Sequence, residues 1–119
     1  MKMITAIVRP ERLESVEEAL REVLDEGDKF RLTVDQVEGH GRQEGETEYV
    51  RGRPVKPRMV PKARITLCVN DAYVDKTIQA IVKGAKTGEA GAVGDGKIFV
   101  VPLEDCVRIR TGERGGSAI

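Results

Sequence analysis

Residues 3–24 have the sequence MITAIVRPERLESVEEALREVL, in which a β-strand leads directly into an amphipathic helix. Residues 3–8 are apolar and β-rich, which predicts a buried strand. Pro10 ends this strand and suits the first turn of a helix. Beyond it, apolar side chains recur at helical spacing and form one face: Val16, Ala19, Leu20, Val23 and Leu24. The segment therefore predicts a strand followed by a helix that buries one side.

The rest of the chain continues the same patterns. Alternating or continuous apolar residues predict four further strands: 31–38, 63–69, 98–101 and a short one at 107–110. A second helical stripe, ending near Thr87-Gly88, has these members: Val74, Ile78, Ile81 and Val82. The order β-α-β-loop-β-α-β is typical of an α+β, ferredoxin-like βαββαβ fold, with two helices on one face of an antiparallel sheet. We expect a single domain over residues 1–119.

Composition excludes several classes of protein. Lys plus Arg and Asp plus Glu each number 20, so the net charge is zero and a basic field for nucleic acid is absent. Cys68 and Cys106 each stand alone in an apolar run, which predicts buried free thiols rather than a disulfide or a zinc site. The N-terminus does not resemble a signal peptide, and no apolar stretch has membrane-spanning length. We therefore expect a cytoplasmic protein without direct membrane contact.

Residues 39–62 differ in composition from the segments around them. Glycines, prolines and charges alternate there with few apolar residues, which predicts a long functional loop over about 41–61, between the second and third strands. His40 is the single histidine. It lacks a partner for a metal site or a catalytic triad, so a structural role is favoured.

The segment TGEAGAVGDGK at residues 87–97 is the strongest local signal for a ligand. Glycines allow the backbone to approach phosphate closely, and Lys97 adds a cation. Residues 91–97 match the beginning of a P-loop, but Ile98 and the following strand break the match, which disfavours a kinase-like NTPase. A plain flexible turn is the alternative.

Arg108 and Arg110 stand two residues apart on the predicted last strand. Both side chains would then face the same way, where two guanidinium groups can hold phosphate oxygens bidentately. The alternative is an exposed, solvated strand face.

The sequence resembles the PII nitrogen-regulatory signal proteins over nearly its whole length. The segments that carry the resemblance are 3–10, 39–45 (GHGRQEG), 87–88, 94–100 (GDGKIFV) and 108–113 (RIRTGE). The resemblance implies a compact homotrimer in which ATP and ADP compete for clefts between subunits. The glycine-rich phosphate loop, 87–97, comes from one subunit and Arg108 and Arg110, in a C-terminal strand and tail over 106–119, from its neighbour.

The resemblance also implies the ligand contacts. The nucleotide-binding residues are Ile7, Thr33, Gly39, Gly41, Gln43, Lys62, Cys68, Thr87, Gly88, Gly94, Asp95, Gly96, Lys97, Arg108 and Arg110. Gln43 would bind Mg²⁺ together with the ATP phosphates. The effector 2-oxoglutarate would contact Gln43, Glu44, Gly45 and Lys62. Its binding would reshape the long loop, which then docks on a target such as an ammonium transporter or a nitrogen-assimilation enzyme.

The tip of the long loop departs from the family pattern. Val55 and Arg53 stand where relatives carry a modified tyrosine or serine, so covalent control at those positions is not expected. Four basic residues suit an acidic patch on a target: Arg51, Arg53, Lys56 and Arg58. Their alternative role is solvation.

Three functional classes remain open at this point. The favoured class is a sensor that is not an enzyme, because no dedicated general base accompanies the phosphate site. Within it, a variant that senses adenylate charge or another effector without 2-oxoglutarate is the alternative. An enzyme of the same fold would have to use His40, and a nucleic-acid module would need paired aromatic residues on its sheet.

Overall fold

A computed structural model describes residues 1–24, 31–41, 49–54 and 58–119 of the chain. The strands are β1 (Lys2–Val8), β2 (Thr33–His40), β3 (Tyr49–Val50), β4 (Arg53–Pro54), β5 (Met59–Val69) and β6 (Gly96–Pro102). The helices are α1 (Leu13–Val23) and α2 (Val74–Ala85), and short 3-10 turns cover Pro10–Arg12, Asp71–Tyr73 and Gly115–Ala118. The predicted helix break at 25–28 lies outside the described residues.

The main sheet has the strand order β2-β5-β1-β6, and its paired strands are antiparallel. Alternate residues of β1 and β5 are buried and share one core with both helices: Ile4, Ala6, Val8, Ala63, Ile65, Leu67 and Val69. Both helices therefore cover the same face of the sheet. This confirms the ferredoxin-like βαββαβ arrangement predicted from the sequence.

The apolar stripes of the helices were predicted unequally well. On α1 the predicted positions Val16, Ala19 and Leu20 are buried. On α2 the prediction for Val82 is wrong, because this side chain is 46% exposed. Small residues lie at the helix contact instead: a Cβ added to Gly84 would come within 2.6 Å of the Val16 Cα.

The third strand of the sheet begins earlier than predicted. β5 starts at Met59 and pairs with β2 up to His40, so the predicted loop over about 41–61 is shorter at its second end. β1 pairs with β5 only over residues 63–69, which leaves Pro61 where β5 extends past the end of β1. A proline is tolerated there because one side of the strand has no ladder to lose. The short ladder β3-β4 also lies inside the predicted loop.

The prediction of a last strand over residues 107–110 is wrong. Val107 forms one isolated bridge with Arg114, and the residues between them turn back on themselves. The amide of Arg108 donates to the Glu113 carbonyl oxygen at 2.9 Å, and the amide of Gly112 donates to the Arg108 carbonyl oxygen at 2.8 Å. We call residues 105–115 the C-terminal hairpin. Its turn means that Arg108 and Arg110 do not share a strand face.

Candidate functional site

The face of the main sheet opposite the helices carries six of the fifteen predicted nucleotide contacts. This open face consists of the alternate residues that do not enter the core, and strand register places these predicted residues on it: Ile7, Thr33, Gly39, Lys62, Cys68 and Lys97. Ile7 lies directly opposite Lys97 on β6. Gly39 lies against Lys62, whose Cγ is 3.7 Å from the position of an added Cβ. The structure therefore gathers these predicted residues on one surface.

The glycine-rich loop joins α2 to β6 and is organised around one carboxylate. Asp95 accepts hydrogen bonds from the Thr87 hydroxyl at 2.6 Å, the Thr87 amide at 3.0 Å and the Ala92 amide at 2.9 Å. Gly88, Gly91 and Gly94 have positive φ angles, which L-residues rarely adopt. The loop is consequently a ring closed by side-chain hydrogen bonds rather than a plain turn.

Two cationic side chains meet at this loop. Lys62 Nζ donates to the Gly94 carbonyl oxygen at 2.9 Å, and Arg9 Nη2 donates to the Val93 carbonyl oxygen at 2.7 Å. A Cβ added to Gly94 would lie 3.1 Å from Arg9 Nη2 and 3.9 Å from Lys62 Nζ. A guanidinium and an ammonium group that meet at a glycine-lined surface favour an anionic ligand.

Sequence reasoning gave no role to Arg9 or Arg12, although both lie in the segment that decides the fold. Arg9 Nε also donates to Asp95 at 3.2 Å. Arg12 donates to the carbonyl oxygens of Gly84 at 3.0 Å and Lys86 at 3.1 Å, where α2 ends. A cation at a helix C-terminus complements the helix dipole. These two arginines fix both ends of the glycine-rich loop.

The C-terminal hairpin is also held together by hydrogen bonds to one carboxylate, that of Asp105. Asp105 accepts from the amides of Cys106 at 2.8 Å and Gly115 at 3.1 Å and from Arg114 Nε at 2.8 Å. Within the hairpin, Arg108 lies 3.7 Å from the Glu113 carboxylate, and Arg110 is exposed.

Within one chain, β6 separates the C-terminal hairpin from the glycine-rich loop. The loop enters β6 at Gly96, and the hairpin follows its other end at Pro102. A strand of that length spans about 20 Å. The two arginines and the glycine-rich loop of the same chain therefore lie at opposite ends of β6.

The chain is similar to known proteins over nearly its whole length. Residues 1–113 match the model of the family described as nitrogen regulatory protein P-II. The nitrogen regulatory protein P-II of Rhodospirillum rubrum is 47% identical, with 100% of both chains covered. The nitrogen regulatory protein GlnK1 of Methanosarcina mazei is 44% identical, covering 100% of this chain and 97% of the relative. The crystal structure of Arabidopsis thaliana PII bound to citrate superposes with a TM-score of 0.75 at 36% identity, covering 99% of this chain and 91% of that one.

The chain belongs to the P-II family of nitrogen regulatory proteins. The resemblance carried by the sequence motifs is thereby confirmed, and the protein is a member of a regulatory family.

Some residues expected to act in P-II function lie outside the described part of the chain. These are Gln43, Glu44, Gly45 and Lys56, and nothing is described of the Arg53 side chain. Arg51 and Arg58 are both exposed, and Arg51 has a positive φ of 54°. Gly41 donates its amide to the Arg58 carbonyl oxygen at 2.9 Å. The assignments of Mg²⁺, effector and target contacts to this loop remain predictions.

The sequence of this P-II chain also predicted buried free thiols, a structural role for His40 and no membrane-spanning segment. Cys68 and Cys106 are free but only half-buried, and burial raises the pKa of Cys68. His40 is exposed on β2. Within the ranges that the structure describes, no cluster of His, Cys, Asp or Glu could hold a metal ion. No helix among the same residues is long and apolar enough to cross a membrane.

The hydrogen bonds around Asp95 predict how stability depends on pH. The Thr87 hydroxyl, followed by the Thr87 and Ala92 amides, holds the pKa of Asp95 well below its usual range. A carboxylate with a folded-state pKa below its unfolded value of about 4 contributes stability above that pH. This contribution is lost as pH falls through the folded-state pKa. We expect the free energy of unfolding, measured in urea from pH 6 to pH 2, to fall less steeply in Asp95→Asn than in the unmodified protein. Parallel curves would contradict this.

Proposed function

We propose that the protein binds ATP and ADP between the subunits of a homotrimer and acts as a nitrogen-regulatory sensor. The observation that carries the proposal is the meeting of Arg9 and Lys62 at Gly94, within a closed glycine-rich loop beside the open face. Phosphate chains are recognised by such a combination of cations and closely approachable backbone. Ile7, Thr33 and Cys68, on the same open face, would receive the adenine and ribose.

The separation of the C-terminal hairpin from the loop supports a site shared between chains. Arg108 and Arg110 follow one end of β6, which spans about 20 Å, and the loop of their own chain precedes the other end. They would complete the site of a neighbouring copy. The open face also presents Phe99, 53% exposed, and Val101, 47% exposed, in the single chain. Exposed apolar side chains grouped on a sheet face favour burial against another subunit.

The cation pair also supports a carboxylate effector beside the nucleotide. The related Arabidopsis protein was solved bound to citrate. In this chain Lys62 and Arg9 would bind a carboxylate of 2-oxoglutarate, while Gln43, Glu44 and Gly45 would wrap the effector and Gln43 would bind Mg²⁺. A divalent cation is needed because a dicarboxylate beside a triphosphate concentrates like charges.

Effector binding would then change the long loop and so control a target protein in the cytoplasm. An ordered loop is a switch because its shape depends on the ligand. The basic tip, with Arg51, Arg53, Lys56 and Arg58, would contact an acidic patch on an ammonium transporter or a nitrogen-assimilation enzyme. We assign a regulatory role rather than catalysis, because the chain belongs to a family of regulatory proteins. The alternative is a P-II variant that responds to adenylates without 2-oxoglutarate.

Calorimetric titration with MgATP, in the presence and absence of 2-oxoglutarate, tests this function. We expect 2-oxoglutarate to bind only when MgATP is present, with a coupling free energy of about 1–3 kcal/mol that is the same in either order of addition. Lys62→Ala should weaken effector binding, whereas Lys83→Ala, an exposed lysine on α2 paired with Glu22, should not. ATP binding without 2-oxoglutarate binding would favour the alternative. Absence of nucleotide binding would overturn the proposal.

A further inference from the structure

Asp95 has a different environment from the other residues expected to touch nucleotide. Its carboxylate accepts from four donors: the Thr87 hydroxyl, the Thr87 amide, the Ala92 amide and Arg9 Nε. The side chain is 19% exposed. These bonds connect the first residue of the loop, a residue in its middle and an arginine from the turn after β1.

A direct contact between Asp95 and phosphate conflicts with this arrangement. Two anions repel each other, and the oxygens of Asp95 already accept hydrogen bonds from within the loop. Thr87, which was also expected to bind nucleotide, donates both its amide and its hydroxyl hydrogen to Asp95. The donors that remain for an anion are therefore on other groups.

Arg9 is one such group. An arginine has five N–H donors, of which Arg9 uses Nε on Asp95 and one Nη2 hydrogen on the Val93 carbonyl oxygen. The carboxylate thus holds the guanidinium beside Gly94 and leaves further donors available. Asp95 also maintains the ring in which Gly88, Gly91 and Gly94 adopt positive φ angles.

We propose that Asp95 is a positioning residue for nucleotide binding, which closes the glycine-rich loop through Thr87 and Ala92 and aims Arg9, without touching the nucleotide. The inference rests on the proposed nucleotide function and reassigns two of its expected contacts. Thr87 acts through the same ring. The phosphates meet a loop that is already shaped, so that binding does not have to order it.

Asp95→Asn is the direct test. The amide is nearly isosteric, but its nitrogen cannot accept, so donors bound to one of the two oxygens lose their partner. We expect the dissociation constant for MgATP to rise at least roughly tenfold, the effect of losing one hydrogen bond to a charged group. Asp71→Asn is the matched control. It also removes a paired carboxylate, at the opposite end of α2, where Asp71 binds the N-terminal ammonium. It should bind MgATP like the unmodified protein.

Two further measurements separate positioning from direct contact and from a merely structural role. Hydrogen exchange of the ligand-free protein should show faster exchange of the Thr87 and Ala92 amides in Asp95→Asn. A structural staple alone would give this result and a lower Tm, yet leave MgATP affinity unchanged. In a double-mutant cycle with Thr87→Val, the losses of affinity should be clearly less than additive, because both substitutions open the same ring. Additive losses would indicate a direct contact and overturn the inference.

The remaining outcomes are also decisive. Unchanged MgATP affinity in Asp95→Asn overturns the inference and leaves the proposed function intact. If the unmodified protein binds no nucleotide, the proposed function and the inference fall together. Should Asp95→Asn not fold, Thr87→Val, which replaces the hydroxyl by a methyl group, takes its place, and a MgATP affinity equal to that of the unmodified protein overturns the inference.

Discussion

Alanine in place of Gly96 is expected to lower the free energy of unfolding by about 3 kcal/mol or more. Gly96 has a φ of +116°, and a Cβ built on it would lie 1.7 Å from the Ile7 carbonyl oxygen. That oxygen belongs to the backbone of β1, the strand with which β6 pairs. The clash cannot be relieved by a side-chain movement, so the two strands would have to separate where the glycine-rich loop enters the sheet.

Gly112→Ala is the control for this substitution. Gly112 has a φ of +74°, and an added Cβ would meet no atom within 4 Å, so only backbone strain is expected, about 1 kcal/mol. Urea unfolding followed by circular dichroism compares the two variants with the unmodified protein. A similar small loss in both would contradict the close approach of Gly96 to β1. We further expect Gly96→Ala to weaken nucleotide binding in whatever fraction remains folded.

The parts of the fold that could be predicted are those that depend on local periodicity. The stretch from β1 into α1 was predicted because the apolar spacing changes from strand-like to helical at Pro10. Burial of Val16 and Leu20 followed from the same stripe. The order of elements then left the ferredoxin-like topology as the natural arrangement, since both helices had to cover one face.

The errors arose where tertiary contacts override local pattern. Residues 107–110 alternate like a strand, but the carboxylate of Asp105 gathers the amides of Cys106 and Gly115 and closes a hairpin instead. Val82 fits the helical stripe, yet Gly84 brings α1 and α2 together on a neighbouring face. The start of β5 at Met59 depends on pairing with β2, which is a contact distant in sequence.

In the candidate site, too, residues in local motifs were predicted and residues that act through distant contacts were missed. Motif resemblance identified Lys62 and the glycine-rich loop, and strand register now gathers them. Arg9 was missed because its partners, Val93 and Asp95, are more than 80 residues away along the chain. The role of Asp95 could not be inferred from its motif, since a carboxylate next to glycines is compatible with a ligand contact as well as with a loop staple.

Mixing two defective variants is expected to restore nucleotide binding, because the proposed site combines the loop of one chain with the hairpin of the next. One variant carries Lys62→Ala and Lys97→Ala, and the other carries Arg108→Ala and Arg110→Ala. Each alone should bind ATP at least about a hundredfold more weakly, given the loss of two charged hydrogen-bond donors. A site that pairs an intact loop with an intact hairpin is complete only in a mixed trimer. In a cyclic trimer formed at random from equal amounts, about a quarter of the sites are complete.

Calorimetry on the co-refolded mixture measures the number of tight sites, and size-exclusion chromatography with light scattering verifies the trimer. The control mixes the unmodified protein with a chain that carries all four substitutions, where about a quarter of the sites should again be complete. The two mixtures thus share composition and differ only in how the lesions are distributed between chains. If loop and hairpin of one chain formed the site together, the first mixture would contain no tight site, whereas half of the chains in the control would still bind. Such a result would contradict the separation along β6 from which the shared site is inferred.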